Sequence, residues 1–185
     1  MAKMRTLVLL AALLAAFSAE CRAATECGCN PQDEEAMKAR QCSLCREAEA
    51  QPADVKVFLL KDSNPNKSHR WLALPRAHWA ANHELAEMTP EDRSLLWTTA
   101  IDKAKSLWGD EWGVAYNGLE VRTQCHAHIH IGKLLEGVET DKDFVVVNTP
   151  SEIPNIPGEG MWIHPVGNKL HVHLHVLRAE LVLLR

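Results

Sequence analysis

Between Gln124 and Gly132 the chain alternates histidine with small or apolar residues at a period of two. His126, His128 and His130 fall on one side of that alternation, and Cys125, Ala127, Ile129 and Ile131 on the other. A β-strand turns the pattern into two faces, one able to pack on a core and the other holding three imidazoles. Three rings that titrate near neutrality on one rigid element suit proton transfer, covalent phosphoryl chemistry or metal binding. A solvated strand face more often carries Lys, Glu or Thr, so the pattern points to chemistry rather than to mere surface.

The 185 residues suit one domain with a sizeable core. At 46% hydrophobic and 24% charged the chain reads as globular, and a net charge of -4 lacks the basic excess of a nucleic-acid binder. No nucleic-acid partner is therefore expected. Lys3 and Arg5 precede an apolar run from Leu7 to Ala19, and small residues follow at Ala23 and Ala24. That is the pattern of a secretory signal peptide over residues 1–24, and it implies export. An uncleaved anchor is the weaker alternative, since the run is short for a bilayer. Acidic Glu20 directly before Cys21 argues against lipid attachment there.

Residues 25–41 form a cysteine-containing segment with Cys27, Cys29 and a short polar helix over 32–40. Strands are expected over 54–62 and 70–74, the second stopped by Pro75. A short helix runs through Glu84, Leu85 and Ala86. The strongest helix begins at Thr89, which can cap it, with Pro90 in the first turn and Glu91 and Asp92 at the positive end of the dipole. Gly109 marks its end. Further strands are expected over 113–116 and 144–147, with a tight turn at Asn117 and Gly118, a Pro- and Gly-rich loop over 150–160, and one or two strands within 172–184. The second alternation, His171, His173 and His175, reads as a paired strand rather than a repeat of the first, because nothing else around the two stretches matches.

These residues resemble the histidine triad (HIT) superfamily of nucleotide hydrolases and transferases. The likeness runs from Cys42 to Gly132 and takes in Cys42-Ser43-Leu44-Cys45, Ser68 to His78, the long helix, Asn117-Gly118 and His126 to Ile131. It implies an α+β fold: an antiparallel HIT-like sheet with one long helix over residues 42–135, and extra C-terminal strands over 136–185 packed on the same domain. It also implies that His128 attacks the α-phosphorus of a nucleotide, that His126 and His130 flank it, and that His69 completes the relay. A neutral imidazole is nucleophilic near pH 7, and oriented donors would meet the phosphoryl charge.

Within the superfamily, Arg122-Thr123-Gln124-x-His126-x-His128-Ile129-His130-Ile131 resembles the CDP-diacylglycerol pyrophosphatase branch, as does Leu60-Lys61-Asp62-x-Asn64. Those enzymes are membrane-associated, face the periplasm and release CMP from a CDP-lipid. The implied partners are thus a nucleotide or nucleotide-lipid substrate, a peripheral membrane contact and a second copy of the chain as a homodimer. Asn117, Arg122, Thr123 and Gln124 are the implied substrate-binding residues, Arg122 as a phosphate clamp.

Zinc-bearing members hold a structural ion that, carried over, would sit on Cys42, Cys45, His78 and His126, a sound tetrahedral donor set. Export favours the rival use of Cys27, Cys29, Cys42 and Cys45 as disulfides or a four-thiol cluster. No organic cofactor is implied. The competing functions are a HIT phosphoramidase or dinucleotide hydrolase and, in another class, a non-catalytic periplasmic metal binder using both histidine-rich stretches.

Overall fold

The computed structural model describes residues 27–77 and 84–185; the expected signal peptide and His78 lie outside the described residues. Seven strands form one antiparallel sheet: β1 (Val57–Lys61), β2 (Trp71–Pro75), β3 (Trp112–Tyr116), β4 (Ile129–Lys133), β5 (Phe144–Val147), β6 (Met161–Val166) and β7 (Lys169–His173). Their order across the sheet is β1-β2-β4-β3-β6-β7-β5. Three α-helices accompany it among the described residues: α1 (Glu34–Met37), α2 (Ser43–Glu49) and α3 (Pro90–Trp108). The chain is α+β, as the resemblance implied.

The start and stop signals of α3 act as expected. Thr89 Oγ1 accepts the Asp92 N–H at 3.1 Å, and Gly109 leaves the helix at φ +57°, a conformation that favours glycine. Its buried face, Leu96, Trp97, Ala100, Ile101 and Ala104, packs on one side of the sheet against Ala73, Val114, Ile129, Ile131, Ile163 and Val172. Burying Leu96 and Ile101 stabilises the fold by about 1.5–3 kcal/mol each.

The opposite face positions the site. Leu72, His130, Ala115, Trp162, His173 and Phe144 form one continuous cross-strand row from β2 to β5. At one end α2 covers this face, with Leu44 and Ala48 against Phe58, Leu72 and Leu74. Toward the middle, Ala179 and Leu183 of the C-terminal segment pack on Ala115 and Trp162.

That segment departs from the expected strands of residues 172–184. Strand β7 ends at His173, and His175 takes φ +59°. The chain then crosses the sheet as a strap with a 3-10 turn at Ala179–Val182. The strap needs glycine beneath it. A Cβ at Gly160 would stand 2.2 Å from the Val176 carbonyl oxygen, so only a bare backbone lets the two chains approach.

Asn117 and Gly118 are likewise not a hairpin turn, because the Gly118 N–H donates to Leu177 O of the strap at 2.8 Å. The polar helix expected over 32–40 contracts to α1, capped by Asp33, followed by a 3-10 turn at Arg40–Cys42.

Candidate functional site

The histidine stretch is only half a strand. Cys125 N–H donates to Gln41 O at 2.9 Å and His126 Nε2 donates to Pro75 O at 2.6 Å, so the chain is tied elsewhere before β4 begins at Ile129. Three imidazoles on one pleat become two. His128 and His130 stand edge to face, ring centroids 4.8 Å apart, each 5% exposed.

Their proton positions follow from their neighbours. A carbonyl oxygen can only accept, so His128 Nδ1–H donates to His126 O at 2.8 Å and Nε2 keeps its lone pair. The Glu180 N–H donates to Asn117 Oδ1 at 3.0 Å, which fixes that amide. Asn117 Nδ2 then points to His130 Nε2 at 3.4 Å, leaving the proton of His130 on Nδ1, 3.6 Å from Glu180 Oε2.

Burial, before any neighbouring charge, lowers the His128 pKa to about 4, and the nearby Arg122 and Lys67 cations act in the same direction. Burial, followed by the adjoining His128 ring, lowers His130 well below its usual value. Both rings are neutral at pH 7.

Cations surround the pair. Glu180 Oε2 accepts Lys67 Nζ and Arg70 Nη1, each at 2.5 Å. Arg70 is 1% exposed and also donates to the carbonyls of Glu180, Leu183 and Leu184, clamping the strap beside the histidines. Burial alone would raise the Glu180 pKa; His130, Lys67 and Arg70 outweigh it and hold it at about 2. Arg122 is buried, and its Nη1 donates to the Tyr116 hydroxyl at 3.2 Å. Neutral nucleophilic nitrogen, buried guanidinium groups and an oriented amide form a site suited to an anionic ester.

No protein-family model and no curated protein matches this chain. Among solved structures it is similar to a DUF4931 family protein from Bacillus cereus ATCC 10987, at 12% identity and a TM-score of 0.47. That likeness covers 70% of this chain and 87% of the other.

Several sequence-derived candidates sit elsewhere. His126 is fully buried with Nε2 committed to Pro75, so it offers its carbonyl to His128 rather than its ring to a substrate. His69 is exposed on the turn before β2; the next residue, Arg70, is the one turned inward. Thr123 is exposed, and Gln124 is engaged with the N-terminal segment through Ser43 Oγ at 2.7 Å and Arg40 O at 3.1 Å. Asn117 and Arg122 alone of the four proposed substrate contacts lie at the histidines. Lys67, Arg70 and Glu180 were not legible, because Glu180 lies 110 residues beyond Arg70 and no local motif links them.

The cysteines correct the mixed zinc site. Cys27 pairs with Cys125 and Cys29 with Cys42 as disulfides. Cys42 in a disulfide has no thiolate to give, and burial pushes the Cys45 thiol up to about 11. With His126 bound to Pro75, the residues present do not fit the zinc site of the resemblance. The sulfurs of Cys29, Cys42 and Cys125 lie within 4.8 Å of one another, a cluster able to hold a metal, and the same atoms form the disulfide pairs.

Glu180→Gln tests the strap's anchor. It removes the carboxylate that Lys67 and Arg70 share, and is expected to destabilise the fold by about 2–3 kcal/mol. Thermal melts read this; an unchanged melting temperature would mean that the Arg70 bonds to strap carbonyls suffice.

Proposed function

We propose that the chain is an exported HIT-type hydrolase that attacks the α-phosphorus of a nucleotide with His128, its substrate a CDP-lipid or related phosphoanhydride. The observation that carries this reading is the His128 Nδ1 bond to His126 O, which leaves Nε2 as a lone pair beside Arg122 and Lys67.

Nε2 forms a bond to phosphorus while the bond to the bridging oxygen breaks, and the leaving group departs as its phosphate. Water then adds its oxygen to phosphorus, the P–N bond breaks, and the nucleoside monophosphate leaves with one water proton lost to solvent. Arg122 meets charge on the non-bridging oxygens, and Asn117 with Glu180 holds His130 against the nucleophile. In this reading the cysteines are cross-links. Zinc on Cys42, Cys45, His78 and His126 would first require reduction of the Cys29–Cys42 bond.

The test is a substrate panel of CDP-diacylglycerol, a dinucleoside polyphosphate and a nucleoside phosphoramidate, quenched early and followed by intact mass. CMP release from the first, with one nucleotidyl adduct mapped to His128, is the expected result. Turnover confined to the phosphoramidate or the dinucleotide moves the chain to the rival HIT activity. No adduct and no turnover with any substrate removes the enzyme reading.

A further inference from the structure

A second histidine group shares the sheet face with His128 and His130. His173 lies in the same row as His130 but three strands away, about 14 Å at the usual strand spacing. His164 on β6 stands directly opposite His171 on β7. The His164 ring centroid is 5.3 Å from that of His171 and 5.3 Å from that of His173.

The hydrogen bonding of these rings is one-sided. His164 Nδ1–H donates to Pro165 O at 3.2 Å, so Nε2 carries a lone pair, and that atom is buried without a partner. His173 is bonded to the Lys142 backbone, and its Nε2 is also buried without a partner. So is His171 Nδ1. His164 and His173 are each 4% exposed. Every such orphaned polar atom destabilises the fold unless something satisfies it.

A ring held by one nitrogen on a backbone carbonyl, its other nitrogen bare, is how metal-binding imidazoles are positioned. The spacing agrees: imidazoles bound at about 2.0–2.1 Å to one tetrahedral ion place their centroids roughly 5 Å apart. Countercharge is at hand, since Asp141 acts electrostatically on His164 and Asp143 on His173.

We propose that His164, His171 and His173 form a binding site for a divalent transition-metal ion of the zinc class. Phe144, stacked on His171 at 4.0 Å, and Trp162, stacked on His173 at 3.7 Å, wall the site. A cavity of about 630 Å³ lined by Trp162, His173 and Asp143 opens beside His173, though His164 and His171 do not line it. The rings stack rather than converge, and among the described residues only the cysteine cluster has three ligand atoms mutually within 4.8 Å. Binding therefore turns the rings edge-on about their side-chain torsions, giving up the stacked arrangement and the present carbonyl bonds in exchange for the ion. His175 is excluded, being exposed and turned to Glu159 at 3.5 Å.

The experiment titrates the purified full chain, disulfides intact, with Co²⁺ and then with Zn²⁺ against a chromophoric chelator. One equivalent should bind, with the visible bands of nitrogen-ligated Co²⁺. His164→Gln and His171→Gln should each weaken Zn²⁺ binding roughly tenfold or more, the scale at which even outer-shell partners act. His171 is only half-buried, so its variant is the one whose fold is least at risk, and a thermal melt verifies it. His128→Gln should leave binding unchanged, which keeps this result separate from the fate of the hydrolase reading. Absence of binding, binding indifferent to both β6–β7 variants, or binding lost with His128→Gln would each overturn the proposal.

Discussion

His128→Ala is expected to lower nucleoside monophosphate release by a factor of 10³ or more, about 4 kcal/mol of barrier at 1.36 kcal/mol per tenfold. Among the described residues, no other ring nitrogen at the site is placed to take over. His126 Nε2 is bound to Pro75, and His130 Nε2 faces the Asn117 amide. The substitution also strips His126 O of its donor, a cost of about 1–3 kcal/mol, so His128→Gln serves as the second variant that separates lost chemistry from lost fold. Early-quench product assays on both proteins, with melting curves, read the two effects. Turnover near the parent level in a folded variant would end the nucleophile assignment.

The same ring sets a pH window. With its folded pKa lowered to about 4, His128 has Nε2 free above that pH, so activity should rise through pH 4 and then level. In the unfolded chain an ordinary histidine titrates near 6.5. The unfolded state therefore binds a proton between pH 6.5 and 4 that the folded state refuses. The stability owed to the neutral ring is full above 6.5 and is lost as pH falls toward 4. His164, also lowered to about 4 by burial and its neighbouring rings, adds to the same acid-side loss. A melting temperature that is flat from pH 7 to pH 4 would contradict both shifts.

Replacing both Cys27 and Cys125 with Ser is expected to cost about 4–5 kcal/mol, because their bond closes a separation of 98 residues. For a chain of this length that corresponds to a fall of roughly 10–20 °C in melting temperature. The Cys29–Cys42 bond spans only 13 residues and should contribute less, about 3 kcal/mol. Differential scanning calorimetry with and without reductant measures the sum, and the paired Ser variants divide it. Cys125 adjoins His126, whose carbonyl holds the nucleophile's tautomer, so losing the first bond should also reduce turnover in the still-folded protein. Melting indifferent to reductant would mean that the sulfurs stay unpaired.

Local chemistry made much of this protein legible. Thr89, Pro90 and Gly109 bounded α3 because caps and dipoles act within one turn, and short apolar runs marked β1, β2 and β5. The period of two named the face that His130 occupies in β4, since a pleat leaves no other choice, and His128, one residue before the strand, meets it edge to face. What sequence extended too far was the same rule applied to His126, and to the residues after His173. Alternation states which way a side chain points only while the strand lasts, and Pro75, Gln41 and the strap decide where it stops.

The remainder belonged to the tertiary structure alone. Pairing among the cysteines beyond the signal segment, the choice of Arg70 over His69, and the approach of Glu180 to His130 depend on contacts distant in sequence, 98 residues for Cys27 with Cys125 and 110 for Arg70 with Glu180. Sequence fixes periodicity and caps because those forces reach three or four residues. Charge pairs and cross-links depend on which surfaces the closed sheet brings together, and only the fold sets that.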